Sequence, residues 1–411
     1  MPARPSSRRL IAIVAAVAVA AVAVGSAIAY RQGPRDGLQA DAGPLTGSPT
    51  PAPSTTRTTP PPTPTPTPSA PTTSVVAPTT PPSSQTPSSE PPPRTGLVKS
   101  NVTVAKLPKG RTPQITYLEG RTVRGGPGAP VTVPGTTEIR AVARVNDNVL
   151  AAVAKDQQTE MLTIGLGGKV IRRTPDVTSI VTTADGGAAA YLATRTDDGG
   201  GALAGATLYA EDSSVHQLAL PNVWRAYLFG YVNGKVYFRA QASEGADSWT
   251  LYQWVPGRSK ADVVKAVPNP TALSADGTNA VSLKVLTDFH SCSSLVDVAS
   301  GKQQWRTCDY QLMRFTPDGS TVVGGSFNQE GYGDPVTAAV DVRSGNVLNE
   351  WKGTFLNSAL EDDQHVLMVA VASGGGGDPG TKSAIIRCTI GTGACELATP
   401  ISTDVPLSFG R

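Results

Sequence analysis

The side chains of this 411-residue chain best placed to do chemistry are carboxylates set between strand-like runs. Asp156, Glu160, Asp197, Asp198, Glu244, Asp247, Asp288, Glu330, Asp334 and Asp378 fall in six segments: 154–160, 194–205, 241–248, 286–293, 326–335 and 372–383. Only Lys155, Arg195 and Lys382 oppose them, and Phe289, His290, Phe327 and Tyr332 add ring faces. Such a set suits a cationic or sugar-bearing ligand, and grouped carboxylates are the hard oxygen donors that calcium takes. Two of these acids at the right separation would instead make a hydrolase or lyase site for a glycan or small molecule. His290 beside Asp288 is the histidine placed to act as acid or base; His216 and His365 read as strand-edge residues. The chain has no G-x-S-x-G elbow, H-E-x-x-H helix or P-loop, so no catalytic residue is assigned. Taken singly, each acid also fits an ordinary exposed turn. As a set, Asp198, Glu244, Asp247, Asp288, His290, Phe327, Glu330, Tyr332, Asp334 and Asp378 are the expected ligand-binding residues, with calcium as the one cofactor they suggest.

The elements that must position them announce themselves by repetition. Ala184-Asp185-Gly186, Ala275-Asp276-Gly277 and Pro317-Asp318-Gly319 each separate two strand-like runs, and Asn146-Asp147, Asn233-Gly234 and Asp362-Asp363 fill the same slot. One residue per turn gives 146, 185, 233, 276, 318 and 362, with gaps of 39, 48, 43, 42 and 44. A period of about 40–45 residues with four strands per unit specifies an all-β chain folded as a β-propeller. In that architecture the first-to-second and third-to-fourth turns share one face, and here they are tight. The six acidic segments are the second-to-third loops. They are expected to be longer in every unit and to converge on the opposite mouth of the channel, the usual place for binding on a rigid repeat scaffold.

Within the unit beginning near Tyr310, strands are expected at 312–315, 321–325, 336–342 and 347–351, with a loop over 328–335. Asp297-Val298-Ala299-Ser300-Gly301 returns 44 residues later as Asp341-Val342-Arg343-Ser344-Gly345, each followed by a tryptophan, Trp305 and Trp351. The expected roles are structural: Asp accepts hydrogen bonds in the turn, Gly takes positive φ, and Trp packs between neighbouring blades. On these turns, with Thr316-Pro317-Asp318-Gly319-Ser320 and Ser274-Ala275-Asp276-Gly277-Thr278, the chain resembles the extracytoplasmic propeller superfamily of TolB-like, WD-repeat-like and quinoprotein-like proteins, over roughly residues 97–411. The resemblance implies the fold and leaves the activity open. The Gly-His and Trp-Asp pairs of true WD repeats are missing, and the sialidase Asp-box spacing fails because Asp276 and Gly277 are adjacent.

Six full units run from about 138 to 400. Upstream runs at 102–107, 115–118 and 122–124 and a downstream run at 405–409 are expected to complete a seventh blade, since an open ring exposes an unpaired edge. The alternative is six blades with the N-terminal strands on the periphery. Cys292 and Cys308 flank the turn at Ser300-Gly301, and Cys388 and Cys395 flank that at Gly391-Thr392. Of the three connectivities four cysteines allow, hairpin geometry favours 292–308 and 388–395. Disulfides point to an oxidising compartment. A zinc site would need a C-x-x-C or a placed histidine, and neither exists.

The N-terminal quarter is not part of this domain. Arg4, Arg8 and Arg9 precede an uncharged apolar run from Leu10 to Ala29, long enough to span a bilayer core of about 30 Å. The expected segments are a basic cytoplasmic terminus over 1–9, a membrane anchor over 10–30, a Pro/Thr/Ser-rich disordered linker over 31–96 and the propeller over 97–411, single-pass with the propeller outside. Ala27-Ile28-Ala29 also fits a signal cleavage site, which would release the domain instead. The linker has too few large apolar side chains to fold, and proline extends it to on the order of 150 Å. Seven arginines and three acids precede residue 97, leaving 28 bases against 29 acids in the folded part. A near-neutral domain excludes nucleic acid as a partner. The expected partners are a protein or an envelope polymer, and the membrane through the N-terminal helix; the oligomeric state has no signal in the sequence.

Overall fold

The computed structural model describes residues 97–411 apart from 198–200, 288–289, 328–332, 376–377, 379, 404–406 and 411. The expected basic terminus, anchor and linker lie outside the described residues. Among the described residues no helix is long and apolar enough to cross a membrane.

The repeated phrases fold through their side-chain hydrogen bonds. The aspartate accepts from a hydroxyl two residues before it: Thr183 to Asp185 at 2.6 Å, Ser274 to Asp276 at 2.5 Å, Thr316 to Asp318 at 2.7 Å. The same carboxylate accepts the backbone N–H of Gly187, Thr278 or Ser320 at 2.9–3.0 Å. The glycine follows at φ of 69°, 74° or 72°, a left-handed conformation that side chains avoid. Asn233-Gly234 takes φ of 49° and 71°, the pair a two-residue hairpin turn prefers. In the second repeat, Asp297 and Asp341 each accept the N–H of the serine three residues on, at 2.7 Å.

The strands between these turns form antiparallel sheets in chain order. Four of the four-stranded sheets begin at Ile139–Val145, Val177–Thr182, Arg225–Val232 and Pro270–Leu273, and each adds the next three strands outward. A nine-stranded sheet begins at Gln311–Phe315; its longest strand, Val347–Leu360, pairs through 347–355 with Asp334–Asp341 and through 355–360 with His365–Ser373. A fifth four-stranded sheet takes its first strand from the C-terminus: Leu407–Phe409 lies beside Tyr117–Glu119, with Tyr117 opposite Phe409, followed by Thr122–Arg124 and Val131–Thr132. The two ends of the domain therefore share one sheet, as edge protection requires. Together the described residues make an all-β propeller.

The core lies between neighbouring sheets. Leu192 and Leu208 pack with Phe238 and Trp254 across one junction; Trp351, Phe355, Met368 and Ile386 fill another. Trp305 Nε1 donates to Val342 O at 2.6 Å and Trp351 Nε1 to Gly393 O at 3.0 Å. Each indole thus seals one strand set onto the third-to-fourth turn of the next, which is the expected role of the repeat. Both disulfides are those expected, Cys292–Cys308 and Cys388–Cys395.

Two expectations change. The run 102–107 is not a strand: Val104–Lys106 is a turn of 3₁₀ helix that buries Val104. Just before it, Val98–Asn101 pairs in parallel with 349–352, and Lys109 bridges Leu397, so the N-terminal segment covers outer sheet edges before entering the closing sheet. The second-to-third loops are not uniformly long. Asn148–Lys155 and Gln158–Ile164 are joined by the two residues 156–157, with Asp156 at φ 53°, and only 288–289 separate Asn279–Thr287 from His290–Asp297. In both places strand pairing continues through residues that read as loop, to Lys155 opposite Gln158 and Thr287 opposite His290.

Candidate functional site

The inner strands share a device that the turn phrases do not reveal. In six inner-strand pairings the register slips by one residue, leaving Arg140, Thr178, Phe229, Thr271, Met313 and Leu356 as bulges. A bulge breaks pairing locally and re-aims side chains at a rim. Thr271 and Met313 line a cavity of about 520 Å³ at the end of the sheets that bears the second-to-third loops. Three neighbouring strand sets build it. Arg239, Asp247 and Trp249 come from the Arg225 sheet, Asn269 and residues 283–285 from the Pro270 sheet, and Gln311 from the next inner strand.

Arg239 dominates this cavity. The slip at Phe229 places it opposite Tyr227. Its guanidinium carbon stands 4.6 Å from the Trp249 ring centre, 5.2 Å from Tyr227 and 5.8 Å from Phe229, a three-sided cation–π clasp. Nη1 donates to Pro270 O at 2.9 Å, which ties two sheets together. Nε is buried without a partner, and no carboxylate among the described residues pairs with the group. Burial pushes its pKa below the ordinary arginine value, against a smaller opposing effect of Tyr227. Trp249 is itself fixed, its N–H donating to Asn269 Oδ1 at 2.7 Å. Exposed apolar side chains accompany it: Val285 at 59% lines the cavity, Tyr227 at 46% lies opposite Arg239, and Leu286 at 43% follows Val285 along its strand.

Of the residues expected to bind, Asp247 lines this cavity. Glu244, in the same loop, is exposed. His290 is exposed at the head of its strand, near the Cys292–Cys308 disulfide. Phe327 is half-buried, and Asp378 is exposed in a turn where its N–H donates to Gly375 O. Asp334 is buried and structural: it accepts the N–H groups of Ser326 and Val336, and its carboxylate lies over Gly325, where a Cβ would overlap it. Asp198, Asp288, Glu330 and Tyr332 lie outside the described residues.

Several other loop acids are engaged as well. Glu160 pairs with Lys155 at 2.9 Å and with Arg173, and Asp197 closes its loop by accepting Gly201 N–H at 2.7 Å. Among the described residues two groups have metal-ligand types within reach of one another, and neither belongs to the acidic loops as a set. His290 meets two cysteines already joined as a disulfide. Glu361, Asp362 and His365 meet at a tight turn, where His365 Nδ1 lies 2.8 Å from Asp362 and Glu361 is held by Arg387.

The opposite end of the sheets carries two adjoining cavities of about 420 and 710 Å³, which share Thr182, Thr183, Ala184, Asp185 and Leu360. Their walls are the tight turns. These turns bond to one another, as in Asn146 N to Gly186 O at 2.8 Å and Asp318 N to Asp363 Oδ1 at 2.7 Å.

No protein-family model matches the chain, and no curated protein matches it. Among solved structures it is similar to the uncharacterized protein lmo1340 from Listeria monocytogenes EGD-e, at 11% identity and a TM-score of 0.46, over 66% of this chain and 86% of that one. It is similar to an oligogalacturonate lyase in complex with manganese, at 13% identity and a TM-score of 0.45, over 64% and 85%. It is also similar to TolB from Acinetobacter baumannii, at 15% identity and a TM-score of 0.38, over 60% and 67%. These likenesses carry no assignment of activity to this chain.

Proposed function

We propose that the chain is a membrane-tethered propeller of seven four-stranded blades, held outside the cytoplasm, that binds a protein or cell-envelope polymer on its loop-bearing face. What supports seven blades is the double pairing of Val347–Leu360: its halves belong to different strand sets, so the nine-stranded sheet counts as two blades beside the five four-stranded sheets. The apolar run over 10–29, the proline-rich linker and the two disulfides support the placement outside the cytoplasm. The observation that carries the binding role is the loop-face cavity, concave, lined by polar groups together with exposed Val285, and neighboured by exposed Tyr227 and Leu286. Among the described residues Asp247 is the one acid lining it, with no second described carboxylate there to make the pair that glycoside chemistry uses.

The test is co-sedimentation of the full chain, in detergent, with isolated cell envelopes. Binding is expected, and Val285→Asp with Leu286→Asp is expected to weaken it at least about tenfold, roughly 1.4 kcal/mol, by charging exposed apolar surface at and beside the cavity. Both positions are exposed, so the fold should survive. Undiminished binding by the double variant would move the site elsewhere, and turnover of the bound polymer would make the protein an enzyme.

A further inference from the structure

The clasped arginine says what kind of ligand the cavity would take. A guanidinium carries five N–H donors, and Arg239 uses one on Pro270 O. The rings of Trp249, Tyr227 and Phe229 hold the cation in place without neutralising it. Lys284 lines the same cavity and Asp247 is the one acid lining it among the described residues, so the lining carries a net charge of about +1. A planar fork held rigidly at the wall of an open cavity matches a carboxylate, which it can bind through two parallel hydrogen bonds.

The remaining polar groups select among carboxylates. Among the described residues the Asp247 carboxylate and the Gln311 amide have no hydrogen-bond partner, and Asn269 engages its Oδ1 with Trp249 N–H while its NH₂ has none. Two acceptors, the Asp247 carboxylate and Gln311 Oε1, and two amide donors suit hydroxyl groups, which both donate and accept. A ligand that brings a carboxylate and several hydroxyls together is an acidic sugar.

We propose that the loop-face cavity binds a carboxylate-bearing saccharide, with Arg239 holding the carboxylate and Asp247, Asn269 and Gln311 reading the hydroxyls. This rests on the loop face being the binding face and adds the chemistry of what binds there.

Calorimetric titration of the full chain with D-glucuronate, with D-glucose as its neutral match and with an acidic dipeptide tests it. Glucuronate is expected to bind at least about tenfold more tightly than either other probe, because it alone brings a carboxylate for the guanidinium and hydroxyls for the polar groups together. Arg239→Lys keeps the charge and loses the fork, and is expected to remove that preference. Asp247→Asn, at an exposed position, is expected to weaken glucuronate without disturbing the fold. Equal binding of glucose and glucuronate, a dipeptide that binds as well as glucuronate, or glucuronate binding indifferent to both variants would overturn the proposal. Envelope binding that depends on Val285 and Leu286 but shows no response to glucuronate would overturn it too, while leaving the loop face as the binding face.

Discussion

Replacing Arg387 with alanine is expected to destabilise the protein by about 3–5 kcal/mol, the cost of leaving a buried carboxylate without its partner. Arg387 and Glu361 are 3% and 1% exposed at their side chains. The guanidinium bonds both oxygens of Glu361, one of them at 2.8 Å, and Glu396 at 2.6 Å. It also donates to the carbonyls of Arg111 and Thr112 at 2.9 and 3.0 Å, while Glu361 accepts the Gln114 N–H at 2.6 Å. One ion pair therefore ties the segment that leads into the closing sheet to the last strands of the nine-stranded sheet. Urea unfolding measures the loss. Arg387→Met combined with Glu361→Leu is expected to cost much less than the two single changes added together, because it removes both charges at once. A loss below about 1 kcal/mol for Arg387→Ala would mean that the pair behaves as an exposed surface bridge.

The same pair fixes a pH dependence. Burial pushes the Glu361 carboxyl up, but hydrogen bonds from Arg387 and the Gln114 N–H, with the charges of Arg387 and Arg111, hold it below the ordinary glutamate value. A carboxyl depressed in the folded state stabilises fully above its unfolded pKa of about 4.3, and that contribution is lost as the pH falls through the lower folded value. Subtracting the acid unfolding curve of Glu361→Gln isolates this increment from those of the turn aspartates.

Trp351→Ala is expected to cost a further about 3–5 kcal/mol, the range for truncating a large buried aromatic. The side chain is fully buried among Val323, Phe355, Met368 and Ile386. Its loss opens a cavity between strand sets and strands the Gly393 carbonyl that Nε1 now satisfies at 3.0 Å. Trp351→Phe keeps most of the packing and gives up the hydrogen bond, so about 1–2 kcal/mol is expected. Equal losses for the two variants would show that the hydrogen bond, rather than the packing, seals that junction.

What was legible in the sequence was what local chemistry dictates. Asp-Gly and Asp-Val-x-Ser-Gly turns hold the same bonds wherever they occur, and the cysteines lie opposite one another because the hairpin register puts them there, as with Cys388 and Cys395. The strands Thr122–Arg124 and Thr321–Gly325 stand at the expected residues. The hydroxyl two residues before each Asp-Gly was visible as Thr183, Ser274 and Thr316, and marks the turn as firmly as the aspartate does. The site was harder to read because bulges carry no such mark. Counting back from the Asn233-Gly234 turn places Ala240 opposite Tyr227; the slip at Phe229 brings Arg239 there instead. The clasp then draws on Trp249, which lies beyond an intervening loop. Asp334 was hard to read for a different reason: a loop acid and a buried acid that organises its own loop look the same in a sequence.

The most direct test of the binding face is hydrogen–deuterium exchange on the full chain with and without the cell envelopes that it sediments with. Backbone amides in loops exchange from the low-stability end of the fold, so a ligand seated on them slows exchange locally. The result expected is protection over 242–249 and 283–287, with the tight turns at 183–188 and 274–279 unchanged. Protection confined to those tight turns, around the cavities that share Thr182, Thr183 and Asp185, would contradict the account and place the ligand at the opposite mouth.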